Sequence, residues 1–142
     1  MKKISILIIT SLILCGQAYA QKSQKDQTKM KQIAASEFTT FKVSDNVIMY
    51  KVTFKNQYKL EVAGHLFISK NINQKVKNPA IIVGHPMGAV KEQSADVYAA
   101  NMAERGFVTL AIDLSFWGES AGEPRNAVLP DMYAEDFSAA VD

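Results

Sequence analysis

The chain has 142 residues, 48% hydrophobic and 21% charged, with a formal net charge of +2. That balance excludes a disordered polar tail, which needs low hydrophobicity and high net charge. It also excludes a nucleic-acid-binding surface of the usual basic kind, since Lys2 and Lys3 alone account for the positive excess.

Met1-Lys2-Lys3 opens the chain, an apolar run follows from Ile4 to Cys15, and G-Q-A-Y-A precedes Gln21. A basic start, a short apolar run and small residues at Ala18 and Ala20 make a secretory signal peptide over residues 1–20, cut after Ala20. The run is too short to cross a bilayer, which takes about 20 residues, so no stable membrane anchor is expected. The mature protein is expected to be secreted or periplasmic. Cys15 invites a lipoprotein reading, but Leu14 stands where a small residue is needed. Cys15 is the only cysteine and leaves with the leader, so neither a disulfide nor a thiolate metal site is expected.

Residues 21–46 read as a polar flexible tether and lead-in. The Lys- and Gln-rich stretch over 21–32 has no aromatic residue and too little apolar surface to offset its ordering entropy. From Val47 the pattern alternates, with Ile48, Tyr50, Val52 and Phe54 on the apolar face. After K-N-Q-Y-K, a second β-rich run extends from Leu60 to Ile68, and the two predict an antiparallel hairpin. His65, beside Glu61 on one face of that run, reads as a surface histidine.

Pro79 ends a polar connection, and Ala80 to Val83 is a continuous apolar run, as in a strand buried on both faces. Ala95, Tyr98, Ala99 and Met102 then form a helical stripe, with Ser94 as N-cap and Arg105-Gly106 as its end. Phe107 to Ile112 is a second doubly buried run, so strand, helix and strand predict a βαβ unit. A Gly-, Ser- and Pro-containing loop leads to Pro130. Asp131 caps a further amphipathic helix, marked by Tyr133, Phe137, Ala140 and Val141. That helix is still open at Asp142, so the sheet is expected to continue in residues beyond it.

In such sheets, ligands bind off the carboxyl ends of the strands. The turn Gly84-His85-Pro86-Met87-Gly88 lies at one such end. Acyl transfer needs N–H donors aimed at a developing oxyanion. Pro86 has none, so the donor from this turn would be Met87, with Gly88 second. An ordinary turn that uses Gly and Pro only for geometry remains the alternative. His85, directly before that donor, is badly placed for a general base and reads as a loop support. Asp113, at the other strand end, reads as an acceptor for backbone N–H groups of its own loop. Phe116 and Trp117 either line an apolar pocket or cover the sheet edge.

The segments A-I-I-V-G-H-P-M-G-A-V-K-E-Q, A-E-R-G-F-V-T-L-A-I-D, G-E-S-A-G-E-P-R and D-F-S-A-A-V-D together resemble the first half of an α/β-hydrolase. They are most similar to secreted bacterial members related to dienelactone hydrolases and prolyl-peptidase-like esterases. The resemblance covers residues 47–142. It implies a doubly wound, mostly parallel sheet, present here as an incomplete N-terminal half that begins with an antiparallel hairpin. It also implies an oxyanion-hole N–H at Met87 and a substrate pocket bordered by Phe116, Trp117 and Gly118.

The family's nucleophile sits in G-x-S-x-G, or in G-x-C-x-G among dienelactone-hydrolase relatives, followed by an acid and a histidine. Neither pattern occurs here. No catalytic residue is therefore assigned in this chain, and all three are expected beyond Asp142. Ser94, Ser115, Ser120 and Asp113 are not substitutes. The intact parent is expected to cleave an ester, lactone or peptide bond of a small molecule or peptide through a covalent acyl-enzyme. The 142 residues alone are expected to be inactive. A non-catalytic binding module or a decayed gene fragment is the alternative. No metal-ligand spacing or phosphate-binding Gly loop appears, so neither metal nor cofactor is expected.

Overall fold

The computed structural model describes residues 28–142. Residues 1–20, read as a leader, and 21–27, read as the first part of the tether, lie outside the described residues. No helix among the described residues is long and apolar enough to cross a membrane.

The alternation from Val47 produces the expected hairpin. Val47–Lys55 (β2) and Glu61–Ser69 (β3) pair antiparallel, with Val47 opposite Ser69 and Lys55 opposite Glu61. Asn56 closes the turn between them. Its side-chain Oδ1 accepts the N–H groups of Tyr58 (3.1 Å) and Leu60 (3.0 Å), the local bonding that makes Asn a turn residue. The βαβ unit follows as Ala80–Gly84 (β4), Ser94–Glu104 (α1) and Val108–Ile112 (β5). β4 and β5 run parallel, with Ala80 opposite Val108 and Gly84 opposite Ile112. β5 also pairs antiparallel with β3, and Pro130–Val141 forms the second helix, α2.

Part of the segment read as a tether is a strand. Lys29–Ile33 (β1) pairs antiparallel with β2, and a 3₁₀ turn follows at Ala35–Glu37. Four of the five β1 residues are exposed, so no apolar pattern announced it. What the strand contributes is backbone pairing: it satisfies the N–H and C=O groups along the outer side of β2. The sheet therefore has five strands in the order β1-β2-β3-β5-β4, with parallel pairing confined to β4 and β5 among the described residues.

Helices cover both faces of the sheet, as a doubly wound fold requires. On one face Met49, Phe67 and Ala111 pack against Ala95, Ala99, Ala100 and Ala103 of α1. On the other, Phe54, Val62, Ile112 and Leu114 meet Tyr133, Phe137 and Ala140 of α2. Gly84 lets α2 come close there, since a Cβ would lie 2.7 Å from the Phe137 ring.

Both faces of β2 are thus used. Met49, on the side opposite the uniformly apolar set, is 2% exposed, so β2 is not buried on one side alone. The inward stripe of α1 is likewise rotated from its expected position. Ala95, Asp96, Ala99, Ala100 and Ala103 point in and Tyr98 points out, because only small side chains allow the helix this close to the sheet. Gln93 rather than Ser94 occupies the N-cap position of α1, and Leu129 rather than Asp131 that of α2, where Pro130 opens the helix and Asp131 lies in its first turn.

Candidate functional site at the ends of β4 and β5

β4 ends in Gly84, and the chain turns over Pro86 to Ala89, closed by the Ala89 N–H bonding to the Pro86 carbonyl (3.1 Å). Gly88 takes φ 82, a conformation glycine adopts without cost. Among the described residues, no acceptor takes the Met87 N–H, and the Met87 side chain is exposed.

His85 ties this turn to the loop after β5. The Leu114 N–H donates to His85 Nε2 (3.1 Å), so the ring proton sits on Nδ1 and donates to the Pro86 carbonyl (2.9 Å). The His85 ring also packs on Trp117, with centroids 5.9 Å apart. Both ring nitrogens are engaged in holding loops.

Trp117 is half-buried, and its Nε1–H is shared between the Ala127 carbonyl (3.0 Å) and the Tyr133 hydroxyl (2.8 Å). Phe116, by contrast, is buried inside its own loop at φ 77 rather than displayed at its surface. Gly118 is exposed and lies against Asp113, where a Cβ would overlap the carboxylate.

Asp113 is fully buried and more heavily bonded than its own loop requires. Its Oδ2 accepts the Glu119 N–H (2.9 Å), and its Oδ1 accepts the Lys91 N–H (2.8 Å). Lys91 Nζ adds an ion pair to Oδ2 at 2.7 Å and another to Glu119 at 2.8 Å, besides a contact with Glu92. Lys51 completes the knot from β2 by pairing with Glu119.

Lys91 is 0% exposed, which a lysine in V-K-E-Q does not advertise. Burial by itself would lower its pKa, but the hydrogen bonds to Asp113, Glu119 and Glu92 outweigh that and hold the ammonium above its ordinary value. For Glu119, burial pushes upward, yet the bonds from Lys51 and Lys91 prevail and draw the carboxyl down to about 2.

A depressed carboxyl stabilises the fold above its unfolded pKa of about 4.3, and that contribution disappears as pH falls toward about 2. Denaturation of wild type and Glu119→Gln at pH 6 and pH 3 is expected to show the wild-type advantage shrinking in acid. The change should stay under about 1 kcal/mol, because the side chain is 42% exposed and solvent screens it. An advantage that grows in acid would contradict the pairing.

Ser115 and Ser120 are buried with their hydroxyls spent. Ser115 Oγ donates to Asp136 (2.8 Å), and Ser120 Oγ donates to the Asp113 carbonyl (2.7 Å). Asp136, from α2, also accepts the Ser115 N–H (2.7 Å) and Asn56 Nδ2–H (2.9 Å). It clamps the helix, the β5 loop and the hairpin turn together.

His65 is not a surface residue. It is fully buried, with Nδ1 2.8 Å from Asp96 Oδ2 on α1, because that helix covers its face of β3. Burial is the leading influence on Asp96 and pushes its carboxyl up, against the His65 hydrogen bond that lowers it.

A cavity of about 460 Å³ lies elsewhere, lined by Ile33, Phe41, Val47 and Met49 near the start of β2. It holds none of the residues at the β4 and β5 ends. Strand-end geometry, rather than cavity size, therefore locates the candidate site.

No family model matches the chain. The uncharacterized protein PA2218 of Pseudomonas aeruginosa is 55% identical over 103 residues, which cover 72% of this chain and 28% of that protein. The crystal structure of PA2218 superposes with a TM-score of 0.70 at 51% identity, over 80% of this chain and 36% of that one. The uncharacterized protein YcjY of Escherichia coli is 40% identical over 94 residues, 65% of this chain and 31% of that protein. The α/β hydrolase GrgF of Penicillium sp. sh18 superposes with a TM-score of 0.58 at 28% identity, over 66% of this chain and 30% of that one. The chain thus spans less than a third of the length of the curated relatives it matches.

Proposed function

We propose that this chain, which carries an incomplete α/β-hydrolase fold and resembles that superfamily, supplies the oxyanion side of a hydrolase active site. The nucleophile, acid and histidine are carried by sequence outside these 142 residues. The observation that supports this reading is the unengaged Met87 N–H at the β4 end, beside a loop whose support His85 leaves no role as a base. Such a donor stabilises the oxyanion of a tetrahedral intermediate, and losing one costs about 3 kcal/mol in comparable sites.

The bond cleaved is that of an ester, lactone or peptide, in a small-molecule or peptide substrate. Structural neighbours such as the acetyl xylan esterase of Thermoanaerobacterium share the fold at 18% identity, which speaks to fold alone. A secretory leader over residues 1–20 would direct the protein out of the cytoplasm.

The test uses the full-length protein, an aryl ester, and fluorophosphonate and thiol-directed probes. Covalent labelling by either probe that abolishes ester turnover is expected. No labelling and no turnover would sink the reading. His85→Ala in the same assay is expected to lower kcat by about 10²-fold, the scale of a misplaced catalytic element, while the fold persists by circular dichroism. An unchanged kcat would remove His85 from the supporting role.

A further inference from the structure

His65 on β3, Glu92 just before α1 and Glu119 in the β5 loop each bring one potential ligand atom within 4.8 Å of the other two. His65 is fully buried, its Nδ1 is engaged with Asp96 Oδ2 at 2.8 Å, and its Nε2 has no partner among the described residues. An imidazole that donates Nδ1–H to a carboxylate presents the lone pair of Nε2. Metal-binding histidines use this arrangement, in which the outer carboxylate fixes the tautomer and raises the basicity of the ligating nitrogen.

We propose that His65 Nε2, Glu92 and Glu119 form a site for a borderline divalent cation, Zn²⁺ or Mn²⁺, with Asp96 as its outer carboxylate. The surroundings are acidic, since Glu92, Asp96, Asp113 and Glu119 gather here around Lys51 and Lys91.

Lys91 already bonds Glu92 and Glu119, but each carboxylate oxygen has a second lone pair and Glu92 Oε2 is free of the lysine. One imidazole with two carboxylates favours Zn²⁺ or Mn²⁺ over the harder Mg²⁺. Glu92 and Glu119 are 30% and 42% exposed, which gives the ion a way in from solvent. The sequence shows no ligand spacing because the three residues come from a strand and two separate loops.

The experiment titrates chelator-treated full-length protein with Zn²⁺, Mn²⁺ or Mg²⁺ alone, by calorimetry and by thermal midpoint. One Zn²⁺ or Mn²⁺ per chain is expected, with a midpoint that rises with ion concentration and much weaker Mg²⁺ binding. Asp96→Asn is expected to weaken the affinity by about 10–100-fold. Glu92→Gln, at a partly exposed position, should weaken it without unfolding the protein, and His65→Gln should abolish it. Where His65→Gln fails to fold, Glu92→Gln decides. Absence of saturable Zn²⁺ and Mn²⁺ binding overturns the site, as does affinity unchanged in Glu92→Gln, or Mg²⁺ binding equal to the other two.

Discussion

Replacing Lys91 with Met is expected to lower the unfolding free energy by about 3–5 kcal/mol, the scale on which a broken buried ion pair destabilises. Lys91 and Asp113 are both 0% exposed, and Nζ lies 2.7 Å from Oδ2. Methionine fills nearly the same volume, so packing is kept and the charge alone is removed. Asp113 would then be a buried carboxylate holding only the N–H groups of Lys91 and Glu119. Glu119 and Glu92 would lose a counter-ion as well.

Urea denaturation of the full-length protein measures the loss. Adding Asp113→Asn to Lys91→Met should recover part of it, because the double change no longer strands a charge. A loss under about 1 kcal/mol for the single variant would show that the network does not hold the two loops together.

Asp136→Ala is the second large effect, also about 3–5 kcal/mol. The carboxylate is fully buried and accepts three donors: the Ser115 N–H, the Ser115 hydroxyl and the Asn56 amide. Each buried donor left without a partner costs about 1–3 kcal/mol, and local relaxation or water recovers some of it. Asp136→Leu is the discriminating variant. It restores apolar volume but no acceptor, so it should lose about as much as Ala. A Leu variant as stable as wild type would mean that filling space, not accepting bonds, is the role of this position.

These two clusters mark where the sequence stops being readable. The hairpin over Val47–Lys55 and Glu61–Ser69 was legible because Ile48, Tyr50, Val52 and Phe54 recur at every second position and a short polar turn leads to a second β-rich run. The βαβ unit was legible because Ala80–Gly84 and Val108–Ile112 are short apolar runs flanking a helical pattern. β1 was not, since K-M-K-Q-I is held by backbone pairing and buries little.

Lys91, His65 and Asp136 were misjudged or missed for one shared reason. Each is a polar residue whose burial depends on partners distant in the chain: Asp113 for Lys91, Asp96 for His65, and Ser115 and Asn56 for Asp136. Local pattern carries no record of such pairings. At the candidate site, the turn that holds His85 and Met87 could be placed because a turn at a strand end has a recognisable sequence. The inward position of Phe116 depends on a backbone φ of 77 that no pattern discloses for a phenylalanine.

The strand order has a consequence for the growing polypeptide. Among the described residues β4 pairs with β5 alone, yet Ala80–Gly84 is synthesised before Val108–Ile112. At about 5–20 residues per second, the apolar run Ile81–Val83 waits on the order of seconds after leaving the ribosome before its bridging strand exists. The three-stranded meander β1–β2–β3 needs nothing downstream to pair, so it is expected to form first, with β5 then entering between two elements already made. Hydrogen exchange on nascent chains arrested before Val108 should find β2 and β3 protected and Ile81–Val83 open; equal protection would mean that β4 docks by another route. During that interval, a chaperone's grip is most useful on β4.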